Sequence, residues 1–305
     1  MLARMAEMRG GENARGAKGK GLPRPRTVRI KTRHGKRLVC LPPQLRAGPP
    51  ARSLILALHG GHGTAYAFAE RSGLCEAFHA FGHDITFPQA LTHWADGRPP
   101  LEAGWPADRD FIETLHAKSR DALDADAVPL ALIGSSNGGM LTQRYAIEAR
   151  IKPAISVAVV SALPEALAQA AGGAPDPTPM MLIQGAADPV IPWSGGEVLD
   201  IGGKTVKGRL LSIDDTVAFW KTRNRISAPP RDARLRIDGQ PAEFRYWPGG
   251  EDGADLWFVV VEGRGHRLLD GEPRSPRPGS LEDFIARTVM WYVDRETLTP
   301  HAGTF

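Results

Sequence analysis

The sequence predicts an α/β protein with a mostly parallel central sheet and helices on both of its faces. Continuous apolar runs, which are typical of strands buried on both faces, occur at 53–58, 130–133, 155–160 and 256–261. Stretches with helical periodicity lie between them, and this alternation favours a parallel sheet. Motifs rich in glycine and polar residues directly follow these strands, so we expect them at the carboxyl edge of the sheet, where such proteins bind ligands.

The strands are predicted from apolar or alternating runs that end at turn-forming residues. The dipeptide His34-Gly35 marks the turn of an N-terminal strand pair, and Pro42 and Pro88 end two strands. The stretch 235–247 alternates between apolar and polar residues, and we expect an excursion of short strands there. The predicted strands are 27–31, 36–41, 53–58, 84–87, 130–133, 155–160, 180–183 and 256–261.

Helices are predicted where apolar residues recur at helical spacing. The predicted helices cover 68–81, 111–123, the stretch that follows 136, 214–224 and 281–292. Ser280 with Asp283 resembles a capping box at the start of the last helix. The connection 161–179 is predicted as a short loop, which leaves little room for a lid over the sheet edge.

The charge of the chain is unevenly distributed. Residues 1–37 carry twelve Lys or Arg and two Glu, a net charge of +10, whereas the whole chain is +4, so residues 38–305 carry −6. We therefore predict a disordered basic tail at 1–26, one domain over 27–298 and no nucleic-acid partner. The oligomeric state is not predicted.

Signals for a membrane or for export are missing from the sequence. No apolar run approaches the roughly 18 residues of a membrane span, and 1–26 lacks the apolar core of a signal peptide. The sequence as written therefore predicts a cytoplasmic protein without a membrane-spanning segment. The two cysteines, Cys40 and Cys75, form neither a disulfide framework nor a metal-binding pattern; we expect buried thiols, and whether they pair stays open.

The stretch Gly134-Ser135-Ser136-Asn137-Gly138 is the motif Gly-x-Ser-x-Gly between a buried strand and a helix. This context is that of a nucleophile elbow, a sharp turn that exposes a serine. The turn brings backbone close on both sides, so each flank requires glycine. Only Ser136 has glycine two residues before and two after it, and Ser136 is the predicted nucleophile.

In hydrolases with such an elbow, a carboxylate and then a histidine follow the serine. Only His266 and His301 lie after Ser136, and His301 is near the chain terminus, so His266 is the predicted base. Asp188, which follows strand 180–183 between Ala187 and Pro189, is the predicted acid. The other candidates for the acid are Asp176, Asp200, Asp214 and Asp215.

An oxyanion hole requires backbone N–H groups aimed at the developing charge. One donor is predicted to be the N–H of Asn137; the alternative interpretation of this residue is that it simply stabilises the elbow. The other is predicted in the loop after strand 53–58, from Gly61 or, as the alternative, His62, while His59 props this loop by hydrogen bonding.

Three tryptophans fall in loops at the same edge of the sheet. Trp94, Trp105 and Trp193 are candidates to line the substrate site, or alternatively to anchor these loops in the core. The spacing of His59, His62, Asp84 and His93 fits no common metal-ligand pattern, so we expect no metal and no cofactor.

Together these motifs resemble the poly(3-hydroxybutyrate) depolymerase-type esterases, a family of the α/β-hydrolase superfamily that overlaps the feruloyl and acetyl xylan esterases. The motifs that occur in the family's order are 59–61, 94–98, 108–112, 134–140, 185–192, 216–220 and 265–266. The resemblance covers about residues 27–295. It implies an α/β-hydrolase with a Ser136–Asp188–His266 triad that cleaves small or polymeric carboxylic esters without a cofactor, in an extracellular or periplasmic setting.

The chain also departs from that family. Members usually carry a secretion signal, and their histidine loop often continues Thr-Trp-Pro-Gly, where this chain has 267–271 as Arg-Leu-Leu-Asp-Gly. Two other functions stay open: a serine peptidase of the prolyl-oligopeptidase type, whose elbow has a similar sequence, and a non-catalytic binding protein on a hydrolase scaffold. Cleavage of a peptide amide but not of an ester would indicate the peptidase, and ligand binding without turnover would indicate the binding protein.

Overall fold

A ten-stranded sheet, parallel at its centre and antiparallel at both edges, runs through the described part of the protein. The computed structural model describes residues 25–42, 52–172, 176–199, 206–269 and 277–297. The strands in chain order are β1 (Arg26–Thr32), β2 (Gly35–Leu41), β3 (Leu54–Leu58), β4 (Ile85–Pro88), β5 (Leu130–Ser135), β6 (Ile155–Val159), β7 (Met180–Gly185), β8 (Gly196–Leu199), β9 (Val206–Leu210), β10 (Arg231–Ile237), β11 (Gln240–Trp247) and β12 (Leu256–Val261).

The spatial order of the sheet is β1-β2-β4-β3-β5-β6-β7-β12-β11-β10, and β8 pairs with β9 in a separate hairpin. All neighbours from β4 across to β12 are parallel. The helices are α1 (Ala65–Arg71), α2 (Leu74–Ala80), α3 (Trp105–Leu123), α4 (Asn137–Glu148), α5 (Glu165–Ala170), α6 (Ile213–Arg223) and α7 (Leu281–Thr297).

The continuous apolar strands are buried on both faces, as their composition predicts. In β3, Ile55 and Ala57 pack in the cluster that contains α1, α2 and α7, whereas Leu54, Leu56 and Leu58 pack in the cluster that contains α3. A third cluster, which contains α5 and α6, continues this second face beside β6 and β7. The predicted fold class, a mostly parallel sheet with helices on both faces, is therefore confirmed.

Several element boundaries differ from the prediction. The helix predicted at 68–81 is two helices, because Gly73 adopts φ 69° and separates α1 from α2. The connection predicted as a loop at 161–179 contains α5. The strands around 235–247 are no excursion, since β10 and β11 extend the main sheet. The β8–β9 hairpin was not predicted.

The predicted basic tail falls almost entirely on residues 1–24, which lie outside the described residues. Arg26, which was assigned to that tail, begins β1 instead. Cys40 and Cys75 are buried free thiols, and burial raises the pKa of Cys40 to about 11. Within the described ranges, no helix combines the length and apolar character that crossing a membrane requires.

Candidate active site

The strand–turn–helix at 130–148 has the geometry of a nucleophile elbow. Ser136 stands between β5 and α4 with φ 53° and ψ −116°, a conformation that costs a non-glycine residue on the order of 1–3 kcal/mol. A Cβ atom on Gly134 would overlap the carbonyl group of Gly138, and one on Gly138 would overlap the carbonyl oxygen of Leu58. The glycines on both flanks are therefore required by the close approach of backbone.

Three side chains from the ends of β5, β7 and β12 form one chain of hydrogen bonds. The distance between Ser136 Oγ and His266 Nε2 is 3.0 Å, and that between His266 Nδ1 and Asp188 Oδ2 is 2.9 Å. The Asp188 side chain is 4% exposed, whereas the His266 side chain is 20% exposed and faces the cleft described below. The structure thus brings together Ser136, His266 and Asp188, although they are far apart in sequence.

Asp188 is held as a carboxylate by its hydrogen bonds. Oδ1 accepts the N–H groups of Val190, at 2.8 Å, and Ile191, at 3.0 Å. Burial acts to raise the pKa of Asp188, but the hydrogen bond from His266 and those from the two amides outweigh it, so the pKa lies below its ordinary value. Because a carboxylate only accepts hydrogen bonds, Nδ1 of His266 carries the proton and Nε2 is free to accept the Ser136 hydroxyl.

The other acidic residues considered from sequence are placed elsewhere. Asp214 and Asp215 lie in the first turn of α6, where acidic side chains stabilise a helix N-terminus. Asp176 forms an ion pair with Lys152 at 3.6 Å. Asp200 and His301 lie outside the described residues.

The side chain of Asn137 ties the elbow to the neighbouring loop. Its Oδ1 accepts the N–H of Trp94 at 2.9 Å, and its Nδ2 donates to the Trp94 carbonyl oxygen at 3.2 Å and to Asp96 Oδ2 at 2.6 Å. Its backbone N–H, in the first turn of α4, is among those without an intrahelical partner. Sequence reasoning missed Asp96, since only folding brings residues 41 positions apart into contact.

The loop after β3 is fixed beside the elbow by His59. Nε2 of this buried histidine accepts the N–H of Ala90 at 3.2 Å, so Nδ1 carries the proton and donates to the Gly60 carbonyl oxygen at 2.8 Å. Burial lowers the pKa of His59, which keeps it in this neutral form. A Cβ atom on Gly61 would lie 3.8 Å from Asn137 Cβ, so the loop passes close to the helix start. His59 therefore props the loop, as predicted.

An open cleft of about 1580 Å³ lies beside the three hydrogen-bonded side chains. Ser136 and His266 lie in it, together with the loop at 59–64 and residues of the β8–β9 hairpin. Sequence reasoning missed this hairpin because its short strands carry polar residues and show little alternation between apolar and polar positions.

Of the three tryptophans that were candidates to line the site, only Trp94 lies in the wall of the cleft. Trp105 follows the alternative prediction of a core anchor, and Trp193 is not among the residues that line the cleft. Trp105 is buried against Tyr145 and the guanidinium of Arg144, so it anchors α3 in the core. Trp193 is 40% exposed outside the cleft and donates its Nε1–H to Asp214.

Within the described ranges, no group of three or more His, Cys, Asp or Glu side chains is arranged to hold a metal ion. His62 and His93, which were considered as ligands, contact each other with ring centroids 4.7 Å apart. His59 is engaged in its own hydrogen bonds to the backbone of Gly60 and Ala90.

One known protein that resembles the chain in sequence is named as an esterase. A protein of Nocardia uniformis subsp. tsuyamanensis named "Putative esterase NocK" is 28% identical over 272 residues, which are 83% of this chain and 76% of that protein. No protein-family model matches the chain.

Solved structures with the same fold are much more distant in sequence. The acetyl xylan esterase from Aspergillus awamori has a TM-score of 0.53 at 15% identity, covering 80% of this chain and 95% of that one. A hyperthermophilic esterase from Pyrobaculum calidifontis has a TM-score of 0.53 at 16% identity, covering 94% and 88%. An arylesterase has a TM-score of 0.55 at 12% identity, covering 92% and 89%. These likenesses show that the chain has the α/β-hydrolase fold.

Proposed function

We propose that this chain, with its α/β-hydrolase fold, is a serine esterase that hydrolyses carboxylic esters through Ser136, His266 and Asp188. The observation that carries the proposal is the unbroken run of hydrogen bonds from Ser136 Oγ through His266 to Asp188, opening into a cleft. The esterase relative at 28% identity supports the same reaction class. We further propose that one hydrolase domain covers residues 27–298.

In the first half of the proposed reaction, Ser136 Oγ attacks the ester carbonyl carbon while His266 Nε2 takes the hydroxyl proton. The tetrahedral intermediate collapses, the bond to the leaving oxygen breaks, and His266 gives its proton to the departing alcohol. The acyl group is then an ester of Ser136. The Asp188 carboxylate holds Nδ1–H throughout and stabilises the imidazolium that forms.

In the second half, a water molecule replaces the alcohol. His266 takes a proton from this water as it attacks the acyl carbon, and then returns a proton to Ser136 Oγ as the acyl bond breaks. The carboxylic acid leaves, and the free enzyme is restored without an external cofactor.

The oxyanion is assigned to the backbone N–H groups of Asn137 and of Gly61, with His62 as the alternative to Gly61. The support is the short distance between the loop after β3 and the start of α4, and the position of Asn137 at the N-terminus of a helix. Such fixed donors are typically worth about 10²–10³-fold in turnover. The hydrogen bonds of the His59 and Asn137 side chains hold the loop after β3 and the start of α4 in place before a substrate binds.

The narrower assignment is a substrate of the polyhydroxybutyrate depolymerase or feruloyl esterase kind. The open cleft supports a bulky or chain-like ester, since its volume exceeds that of a small acyl group. Comparing turnover of 4-nitrophenyl esters from acetate to octanoate with that of a feruloyl ester and a hydroxybutyrate oligomer tests this assignment.

The test of the reaction itself is hydrolysis of 4-nitrophenyl butyrate by wild type, Ser136→Ala and Ser135→Ala. Loss of a triad serine lowers kcat by on the order of 10⁴-fold or more. Ser135 is the matched control, since it is the adjacent serine but is buried at the end of β5. Full activity of Ser136→Ala would refute the nucleophile. Cleavage of peptide amides alone would indicate a peptidase, and binding without turnover a non-catalytic protein.

A further inference from the structure

The cleft is lined by more positive than negative side chains. Its lining residues include the cations Arg71, Lys207 and Arg267, and none of these forms an ion pair with a carboxylate among the described residues. Lys207 and Arg267 are exposed to the cleft and to solvent. This excess contrasts with the net charge of −6 over residues 38–305.

The carboxylates that line the cleft are already occupied. Asp96 binds Arg98 through two nitrogens, with Nη2 at 2.6 Å, and also accepts a hydrogen bond from Asn137. Asp108 is buried and paired with Arg37 at 2.8 Å. Neither carboxylate is therefore free to neutralise the cations at the surface of the cleft.

Four basic side chains meet at one corner of the cleft, here called the His93 corner: His62, His93, Arg98 and Lys207. The two imidazole rings are 4.7 Å apart, edge to face. A Cβ atom on Gly208 would lie 3.1–3.2 Å from the aliphatic stem of Arg98, so the strand that carries Lys207 packs against Arg98. Burial lowers the pKa of His93, and His62, Arg98 and Lys207 lower it further, while Asp96, which is paired with Arg98, acts to raise it; the lowering by the three basic groups agrees with their proximity.

The His93 corner adjoins the predicted reaction centre. His93 directly precedes Trp94, whose N–H binds the side chain of Asn137. His62 directly follows Gly61, and a Cβ atom on Gly61 would lie 4.0 Å from Nδ1 of His93. An ester carbonyl bound at Ser136 therefore has the His93 corner within reach of its acyl or alcohol part.

We propose that the His93 corner binds a carboxylate of the substrate, so that this chain prefers esters with an acidic group in the acyl or the alcohol part. The inference rests on the proposed esterase function and specifies its substrate class. Lys207 supplies the positive charge, and His62 and His93 each supply an N–H donor. One ammonium without a carboxylate partner among the described residues matches a monoanion better than a dianion.

The first test compares matched pairs of esters with wild type. In one pair the acyl part differs: 4-nitrophenyl hydrogen adipate against 4-nitrophenyl hexanoate, both with six acyl carbons. In the other the alcohol part differs: 4-acetoxybenzoate against its methyl ester. Each kcat/KM is divided by the rate of hydroxide-catalysed hydrolysis of the same ester. We expect the charged member of one pair to be preferred by about fivefold or more, the effect of one partly screened ion pair, and the preference to fall with salt.

The second test changes the charge of the corner. Lys207→Gln should lower the ratio of kcat/KM for the charged ester to kcat/KM for the neutral ester about fivefold. Lys207→Arg, which keeps the charge, should retain this ratio. Lys118→Gln is the matched control, because Lys118 is exposed on α3 and does not line the cleft. It should leave the ratio unchanged.

The outcomes separate this inference from the proposed function. Turnover of the neutral esters with no preference for the charged member of either pair would overturn the inference while leaving the esterase function intact. A preference that Lys207→Gln does not reduce would also overturn it, since a group other than Lys207 would then recognise the substrate carboxylate. Turnover of no ester would overturn the proposed function and the inference together.

Discussion

The buried ion pair between Arg37 and Asp108 supports the loop beside the elbow, and Asp108→Asn should destabilise the protein through it. Arg37 Nη2 lies 2.8 Å from Asp108 Oδ1, and the two side chains are 1% and 5% exposed. Asp108 Oδ2 accepts the N–H of Ala95 at 2.8 Å, next to Trp94, which binds Asn137. The substitution therefore leaves a buried guanidinium without its counter-charge.

The size of the effect follows from burial. Burial raises the pKa of Asp108 even though Arg37 acts to lower it, so desolvation of the carboxylate exceeds the attraction of its partner. Such a pair adds little net stability, but removing one partner strands the other charge and costs about 3–5 kcal/mol. Asparagine keeps an oxygen for the Ala95 N–H, so we expect about 3 kcal/mol. For a chain of this size that corresponds to a fall in Tm of about 5 °C.

Urea unfolding followed by tryptophan fluorescence and by far-ultraviolet circular dichroism measures this change. Asp232→Asn is the matched control, since Arg245 and Asp232 are 2.9 Å apart but both side chains are about half exposed. An exposed pair is worth less than about 1 kcal/mol. If Asp108→Asn lowers the free energy of unfolding by no more than Asp232→Asn, the argument from burial is wrong.

The remaining predictions concern the elbow, the acid and the tryptophans. Gly138→Ala should destabilise the protein by about 1–3 kcal/mol and lower ester turnover, because its Cβ would overlap the Leu58 carbonyl oxygen. Gly172→Ala is the control, since a Cβ there would meet only the Ala170 carbonyl oxygen, at 4.0 Å. Equal unfolding midpoints of the two variants would contradict this prediction. The pKa of Asp188 is lowered on folding, so its stabilising effect is present above the unfolded pKa and is lost as pH falls through the folded value. The free energies of unfolding of wild type and Asp188→Asn should therefore differ most near neutral pH and converge in acid. A difference between the two proteins that grows as the pH falls would contradict this prediction. Trp193→Phe should leave kcat/KM for 4-nitrophenyl butyrate unchanged, since the ring lies outside the cleft. A clear fall in kcat/KM would indicate that the ring contacts the substrate.

The central strands were predictable because burial on both faces leaves a direct trace in sequence. Residues of β5 and β12 face helices on each side, so nearly every position is apolar. The elbow was predictable for a related reason, since backbone contact at Gly134 and Gly138 excludes every side chain. Where the local sequence alone determines the conformation, the prediction and the structure agree.

Features that depend on a single backbone angle or on distant contacts were not predictable. The helical periodicity at 68–81 continues across Gly73, and only the positive φ angle of Gly73 reveals the break. The hydrogen bond from Asn137 to Asp96 joins residues from different elements and leaves no local pattern. The same holds for the His93 corner, whose Lys207 comes from a hairpin of weak sequence signal.

Covalent labelling by diethyl 4-nitrophenyl phosphate tests whether Ser136 is an activated nucleophile, because this reagent phosphorylates a serine only where a neighbouring base activates it. We expect release of one 4-nitrophenolate per chain, with the diethylphosphoryl group on Ser136 by peptide mass spectrometry and greatly slowed labelling in His266→Gln. No release from the folded protein, or a label on Ser135 with Ser136 unmodified, would contradict it.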